Sequence, residues 1–196
     1  MRRLSGIIIV GLLCVPFALA DKKSSHDDVF TSGPPGEAQM AREIRHNLLM
    51  LPYFSIFDDL TFQLNGSVVT LQGACPPEPP WDIKSDAENA VKRVPGVTQV
   101  INQIKVLPLS PMDWQIRRAE ARAIYGDAEI GTRYGYQALP SIHIIVENGH
   151  VTLDGVVDNT FDDTLIRTRA NAVPNVFSVT DNLVVLNQNK KPAEHD

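Results

Sequence analysis

The sequence predicts an α+β fold of two tandem α-β-β-α-β modules, each a three-stranded sheet with two helices on one face. Three observations predict it: an internal repeat, short runs of alternating apolar residues around glycine turns, and longer runs with apolar residues at helical spacing. The repeat comes first. Asn65-Gly66-Ser67-Val68-Val69-Thr70-Leu71-Gln72-Gly73 returns as Asn148-Gly149-His150-Val151-Thr152-Leu153-Asp154-Gly155, and Val94-Pro95-Gly96-Val97 returns as Val173-Pro174-Asn175-Val176. Two matches in the same order, each roughly 80 positions apart, mark a duplicated unit. The run Cys75-Pro76-Pro77-Glu78-Pro79-Pro80-Trp81 lengthens a loop in the first copy alone.

In the first copy, Met40, Ile44, Leu48 and Leu51 recur at helical spacing until Pro52 stops the run. Leu60, Phe62 and Leu64 alternate with Thr61 and Gln63 as in a half-buried strand, and Val69 and Leu71 continue the alternation after an Asn-Gly turn. Ile83, Ala87, Ala90, Val91 and Val94 form a second helical face, with Ser85 and Glu88 spaced as a capping box. Pro95-Gly96 ends that helix, and Val100, Ile104 and Val106 line the last strand. The second copy repeats the plan with Ile116, Ala119 and Ala123, then Ile142, Ile144 and Val146, then Val151 and Leu153. Leu165, Ile166, Ala170 and Val173 follow as a helix, and Val179, Leu183 and Val185 as a strand. Helices on one face leave the other sheet face to water. Leu107-Pro108-Leu109-Ser110-Pro111 predicts an extended joint between the copies, because each proline restricts the residue before it.

Ahead of the repeat, Arg2 and Arg3 precede an apolar stretch ending in Ala18-Leu19-Ala20, after which the chain turns polar at Asp21. A basic start, a short apolar run and an A-x-A site predict a signal peptide over residues 1–20 and an exported, periplasmic protein; a retained membrane anchor is the alternative. The expected organisation is then a disordered linker at 21–36, modules at 37–109 and 110–188, and a disordered tail at 189–196. The net charge of the whole chain is −5, and loss of Arg2 and Arg3 makes it more negative still. An acidic chain without a basic stripe excludes nucleic acid as the expected partner. Cys75 alone remains after residue 20, so no internal disulfide is expected, and Cys75 is expected as an inert free thiol on a loop.

The pattern of a short helix, then N-G-x-V-T-L-x-G, then a helix ending in Val94-Pro95-Gly96-Val97 and the strand Val100-Ile101-Asn102-Gln103-Ile104-Lys105-Val106, resembles the BON domain, twice over. The second copy departs from it at Asn175, where the turn glycine would stand, and at Asp181, where the first has Asn102. The resemblance implies a non-catalytic envelope module that binds phospholipid surfaces or other envelope components and takes no cofactor. It supplies no catalytic motif to carry over.

Candidate sites come from the residues themselves. On the second hairpin, counting by two places His143, Ile145, Glu147, His150, Thr152 and Asp154 on one sheet face, with Glu147 opposite His150 and His143 opposite Asp154. A histidine–carboxylate pair beside a threonine suggests a nucleophilic triad. An open sheet face offers no water-excluded pocket, so these are expected as exposed cross-strand pairs, and their imidazoles do not converge for a metal. The helix opening the second copy carries the better candidate. At 100° per residue Trp114, Arg118, Arg122 and Tyr125 share one side, opposite Ile116, Ala119 and Ala123. Aromatic rings interleaved with arginines suit contact with anionic lipid headgroups. The competing expectation is that Trp114 packs into the joint between modules and the arginines pair with Asp113, Asp127 or Glu129. Glu120 falls at the centre of the side taken as apolar, so either it lies at an edge or the face is rotated. Two further readings remain open: a protein scaffold using free strand edges, and a small-ligand or ion site between the modules. The oligomeric state stays open.

Overall fold

The computed structural model describes residues 35–77, 80–137 and 141–187, so the expected signal peptide, nearly all of the linker, and the tail lie outside the described residues. Module 1 comprises α1 (Pro35–Leu49), β1 (Asp59–Asn65), β2 (Val68–Cys75), α2 (Ile83–Lys92), β3 (Gln99–Asn102) and β4 (Lys105–Val106). Module 2 comprises α3 (Pro111–Tyr125), a one-turn α4 (Ala128–Ile130) running into a π-helical turn at Gly131–Gly135, then β5 (Ile142–Glu147), β6 (His150–Val157), α5 (Thr160–Asn171) and β7 (Ser178–Val185). In each module the hairpin is antiparallel and its second strand pairs in parallel with the strand after the helix. Each builds its own core. In module 1 it joins Ile44 and Leu48 to Val69, Leu71, Ala87 and Val91; in module 2 it joins Ile116 and Ile124 to Ile142, Ile144, Leu153 and Ile166.

The third strand of module 1 is interrupted between β3 and β4, which both pair with β2. Asn102 holds the interruption. Its side-chain oxygen accepts from the Ile104 amide at 3.1 Å, while its Nδ2 donates to the Lys84 carbonyl at 2.9 Å and to Glu88 at 3.0 Å. Asp181 in module 2 keeps the accepting half, taking the Leu183 amide at 3.0 Å, but a carboxylate has no proton to donate to the neighbouring helix, and β7 runs unbroken. Asn175 takes φ +70°, matching Gly96 at +95°, as an asparagine can in a left-handed turn.

The hairpin turns differ between copies. Asn148 and Gly149 both have positive φ and form the two-residue loop of module 2. In module 1 the paired residues are Asn65 and Val68, so the loop is Gly66-Ser67, one position later than the Asn-Gly reading places it. The last glycine of the shared motif is structural. A Cβ on Gly73 (φ +105°) would stand 2.0 Å from the Asp59 carbonyl oxygen, and on Gly155 (φ +137°) 2.0 Å from that of Ser141.

Two local expectations are corrected. The N-cap of α2 lies three residues before the start of the proposed capping box: Asp82 is the cap and accepts from the Ser85 amide and hydroxyl, while Glu88 is taken by Lys92 and Asn102. Those Ser85 bonds hold the Asp82 carboxyl below its usual range. Cys75 is not on a loop. It ends β2 and is buried in the module 1 core, at the place Val157 fills in module 2, and burial pushes its thiol up to about 11. Replacing Cys75 by Ser puts a hydroxyl into an apolar site and is expected to cost about 1–3 kcal/mol, while Cys75→Val stays within about 1 kcal/mol of the native chain. Urea denaturation of both variants checks this, and equal losses would contradict the core assignment.

The modules meet through the segment between α1 and β1. Asp58 folds it back by accepting from the Ser55 amide and hydroxyl, each at 2.8 Å. Ile56 and Phe57 then pack against the module 2 core, the Phe57 ring meets Trp114 edge-on at 5.9 Å, and Phe54 lies 5.7 Å from the His143 ring. The polar sheet face is therefore covered along β5, against the expectation of an open face: His143 and Ile145 are buried. Lys105 of module 1 adds an ion pair to Glu147 at 2.6 Å.

Candidate functional site

Helix α3 is the element that distinguishes the second module. Aligned from their N-terminal prolines, α1 and α3 are both 15 residues long and keep Gln39/Gln115, Met40/Ile116, Arg42/Arg118 and Leu48/Ile124 in step. Against that background Ala38, Ala41 and Ile44 of α1 become Trp114, Arg117 and Glu120 of α3, one stripe at three-residue spacing.

That stripe turns inward. The buried residues of α3 are Asp113, Ile116, Arg117, Glu120 and Ile124, so the face taken as apolar is rotated, and Ala119 and Ala123 sit at its edge. Asp113 receives the amides of Asn148 and Gly149 at 3.0 and 2.9 Å, tying the helix start to the β5–β6 turn. Arg117, 0% exposed, donates to the Val146 carbonyl at 2.6 Å, and its guanidinium lies 5.0 Å from the Trp114 ring centre. Glu120 is also 0% exposed; among the described residues neither carboxyl oxygen has a hydrogen-bond partner, and burial pushes it up to about 8.

These side chains close the outer edge of β5, which among the described strands pairs with β6 alone. Because Glu147 and His150 flank the turn, Ile142, Ile144 and Val146 direct their backbone groups away from β6. The Tyr125 hydroxyl donates to the Ile142 carbonyl at 2.6 Å, the Ile144 amide donates to the Ile56 carbonyl at 2.7 Å, and Arg117 takes Val146. An exposed strand edge invites pairing with another chain; here two helix side chains and a loop occupy it. Burial raises the Tyr125 phenol well above its ordinary range.

The four residues singled out on α3 therefore divide. Trp114 and Tyr125 are half-buried, the first against Phe57 and Arg117, the second on β5. Arg118 and Arg122 are exposed, and among the described residues neither makes an ion pair. Asp113, Asp127 and Glu129 instead serve the turn amides, Arg169 and Arg133. Arg122 also borders a groove of about 300 Å³ between α3 and α5, with Ala119, Ala123, Ala172, Val173 and Pro174 along it and Arg169 across from it.

The hairpin histidines keep their predicted register but not their partners. Glu147 binds Lys105, Asp154 accepts from Asn182 at 3.1 Å, and His150 Nδ1 lies 2.7 Å from the Ser178 hydroxyl. A second polar cluster, absent from the sequence reading, secures the segment after α3. Buried Asp162 accepts from Tyr134 at 2.6 Å, from Asn159 at 3.0 Å and from Arg133, and the Tyr134 hydroxyl accepts from the Asp158 amide at 2.9 Å. Burial and the Asp162 carboxylate raise the Tyr134 phenol to about 12. With its groups matched to one another, this cluster pins the π-helical turn to the start of α5.

Among known proteins, the family model described as "BON domain" matches residues 37–108 and 128–187. No curated protein matches the chain. Two solved structures resemble it weakly. One is CdsD, a structural protein of the type III secretion system of Chlamydia trachomatis, at 14% identity over 76% of this chain and 92% of that one, with a TM-score of 0.26. The other is the C-terminal domain of CdsD, at 14% identity over 74% and 96%, with a TM-score of 0.29. Neither superposition bears on what this chain binds. Among the described residues no helix is long and apolar enough to cross a membrane.

Proposed function

Since this chain belongs to the BON-domain family, carrying two copies of the domain, we propose that it is an exported, non-catalytic envelope protein that binds anionic phospholipid surfaces through the outer side of α3. The observation that carries this reading is the pair Arg118 and Arg122, one turn apart, exposed and without ion pairs among the described residues. Guanidinium groups suit phosphate because their N–H fork matches its oxygens. Trp114 and Tyr125 then act by holding α3 against β5 and module 1, which presents the arginines on a rigid support. In this reading residues 1–20 are the export signal, residues 37–109 and 110–188 are the two modules, and the protein works in the periplasm against a membrane surface.

The scaffold reading, in which a partner adds a strand to a free edge, loses one of its edges, because β5 is occupied by Tyr125, Ile56 and Arg117. Co-sedimentation with vesicles across a salt series tests the lipid reading. Binding is expected to phosphatidylglycerol-containing vesicles, to fall with salt, and to be weak to neutral ones. Each basic residue at an anionic surface contributes about 1 kcal/mol, so the Arg118→Glu, Arg122→Glu double variant is expected to bind at least about tenfold more weakly. Both side chains are exposed, so the melting temperature should hold. Equal binding by the double variant would remove α3 as the contact.

A further inference from the structure

Building on the reading of α3 as the lipid-facing helix, we infer that the groove between α3 and α5 seats a single anionic phospholipid, its phosphate between Arg122 and Arg169 and its acyl chain along the alanine floor. The comparison between modules carries this. Registering α1 on α3 by their N-terminal prolines, and α2 on α5 by the Val94-Pro95 and Val173-Pro174 pairs, places Glu43, Asn47 and Arg93 of module 1 where module 2 has Ala119, Ala123 and Ala172. In module 1 Asn47 bridges the crossing with a hydrogen bond to the Ala90 carbonyl at 3.5 Å, and Glu43 and Arg93 stand exposed beside it. In module 2 these three polar side chains are replaced by methyl groups, and the groove of about 300 Å³ lies along them. In the same registers His46 and Ala90 become Arg122 and Arg169. The second copy has therefore lost bulk from the floor and acquired guanidinium groups on both walls.

The lining also names its occupant. Ala119, Ala123, Ala172, Val173 and Pro174 have apolar side chains, and among the described residues the two guanidinium groups are the only polar side chains of the groove. A ligand with one anionic group joined to hydrocarbon matches that set, whereas a peptide would bring backbone amides and carbonyls that those side chains cannot satisfy. Arg169 is held in place by Asp127, which accepts from its Nε at 3.2 Å and Nη2 at 2.7 Å, while Arg122 makes no ion pair among the described residues. One cation is thus preset and the other is free to close on the phosphate.

The test is an NMR titration of the ¹⁵N-labelled protein with dihexanoyl phosphatidylglycerol below its micelle concentration, beside dihexanoyl phosphatidylcholine, glycerol phosphate and a short poly-glutamate peptide. Expected is saturable one-to-one binding of the phosphatidylglycerol, with amide shifts centred on Ala119, Ala123 and Ala172, and binding at least tenfold weaker for the other three. Ala123→Asn and Ala172→Arg, which restore the module 1 residues, should each weaken it at least tenfold. Ala119→Glu does the same from the other wall, and thermal melting verifies that each variant is folded. Glycerol phosphate binding as tightly as the lipid, poly-glutamate binding as tightly, shifts lying away from the groove, or no saturation would each overturn the inference. Vesicle binding without monomer binding would also overturn it while leaving the α3 surface contact standing. Monomer binding that the filled groove abolishes would support it even if vesicles failed to bind.

Discussion

Replacing Glu120 by Ile, the residue found at its place in α1, is expected to stabilise the protein on the order of 3 kcal/mol near neutral pH. Glu120 lies on the buried face of α3 with no hydrogen-bond partner at either carboxyl oxygen among the described residues, and burial raises it to about 8. The folded state therefore keeps a proton that the unfolded chain releases at the ordinary value of 4.5. Below that value both states are protonated and the ionisation of Glu120 costs nothing. Between the two values only the unfolded state is ionised, so native stability falls by up to about 1.4 kcal/mol per pH unit as pH rises. Above about 8 the fall ends, because both states are ionised. Stability curves in urea at pH 5, 6.5 and 8 should show the native chain and Glu120→Ile converging at the acidic end and separating as pH rises. Glu120→Gln should remove the pH dependence while keeping the buried polar group, which separates titration from packing. A constant gap across pH would mean that the carboxyl finds a partner in solution.

A comparably large effect of opposite sign is expected from Gly155→Ala. The residue lies within β6, opposite Ile142, at φ +137°, with the Ser141 carbonyl oxygen 2.0 Å from where a Cβ would stand. An L side chain there faces both an unfavourable backbone and a collision with main chain that cannot swing aside. Strain of that kind costs about 1–3 kcal/mol before the strands move, and their displacement from the core raises the expected loss to about 3–5 kcal/mol. Gly73→Ala should match it in module 1. Gly36→Ala is the control, since a Cβ there meets nothing within 4 Å. Chemical denaturation reads all three, and a loss under about 1 kcal/mol at Gly155 would show that the β5–β6 crossing accommodates a methyl group.

Gly73 and Gly155 also show what the repeat could and could not tell. Both were visible as the end of a shared motif, whereas the close carbonyl that requires them lies on the neighbouring strand. Cys75 was legible and was missed: it continues the alternation Val69, Leu71, Gly73 into the core, but the proline run after it suggested a loop. On α3, counting apolar residues selected Ile116, Ala119 and Ala123, with Glu120 at the centre of that side, and of the two alternatives this left, an edge position or a rotated face, the structure takes the second. Arg117 can leave water because the Val146 carbonyl and the Trp114 ring receive it. Neither partner is visible in the periodicity of the helix.

The sequence by itself determined the duplication, the order of helices and strands, the cross-strand register of the second hairpin and the family, because periodicity and turn chemistry act within one element or between neighbours. Tertiary structure alone decided which side of α3 faces inward, that the module 1 loop covers β5, and that Glu147 meets Lys105 while His150 meets Ser178. It also opened the groove between α3 and α5. The physical reason is the same throughout. An apolar side chain is satisfied by any core, so its place follows from its spacing. A polar side chain needs a particular partner, and here those partners arrive from segments far along the chain.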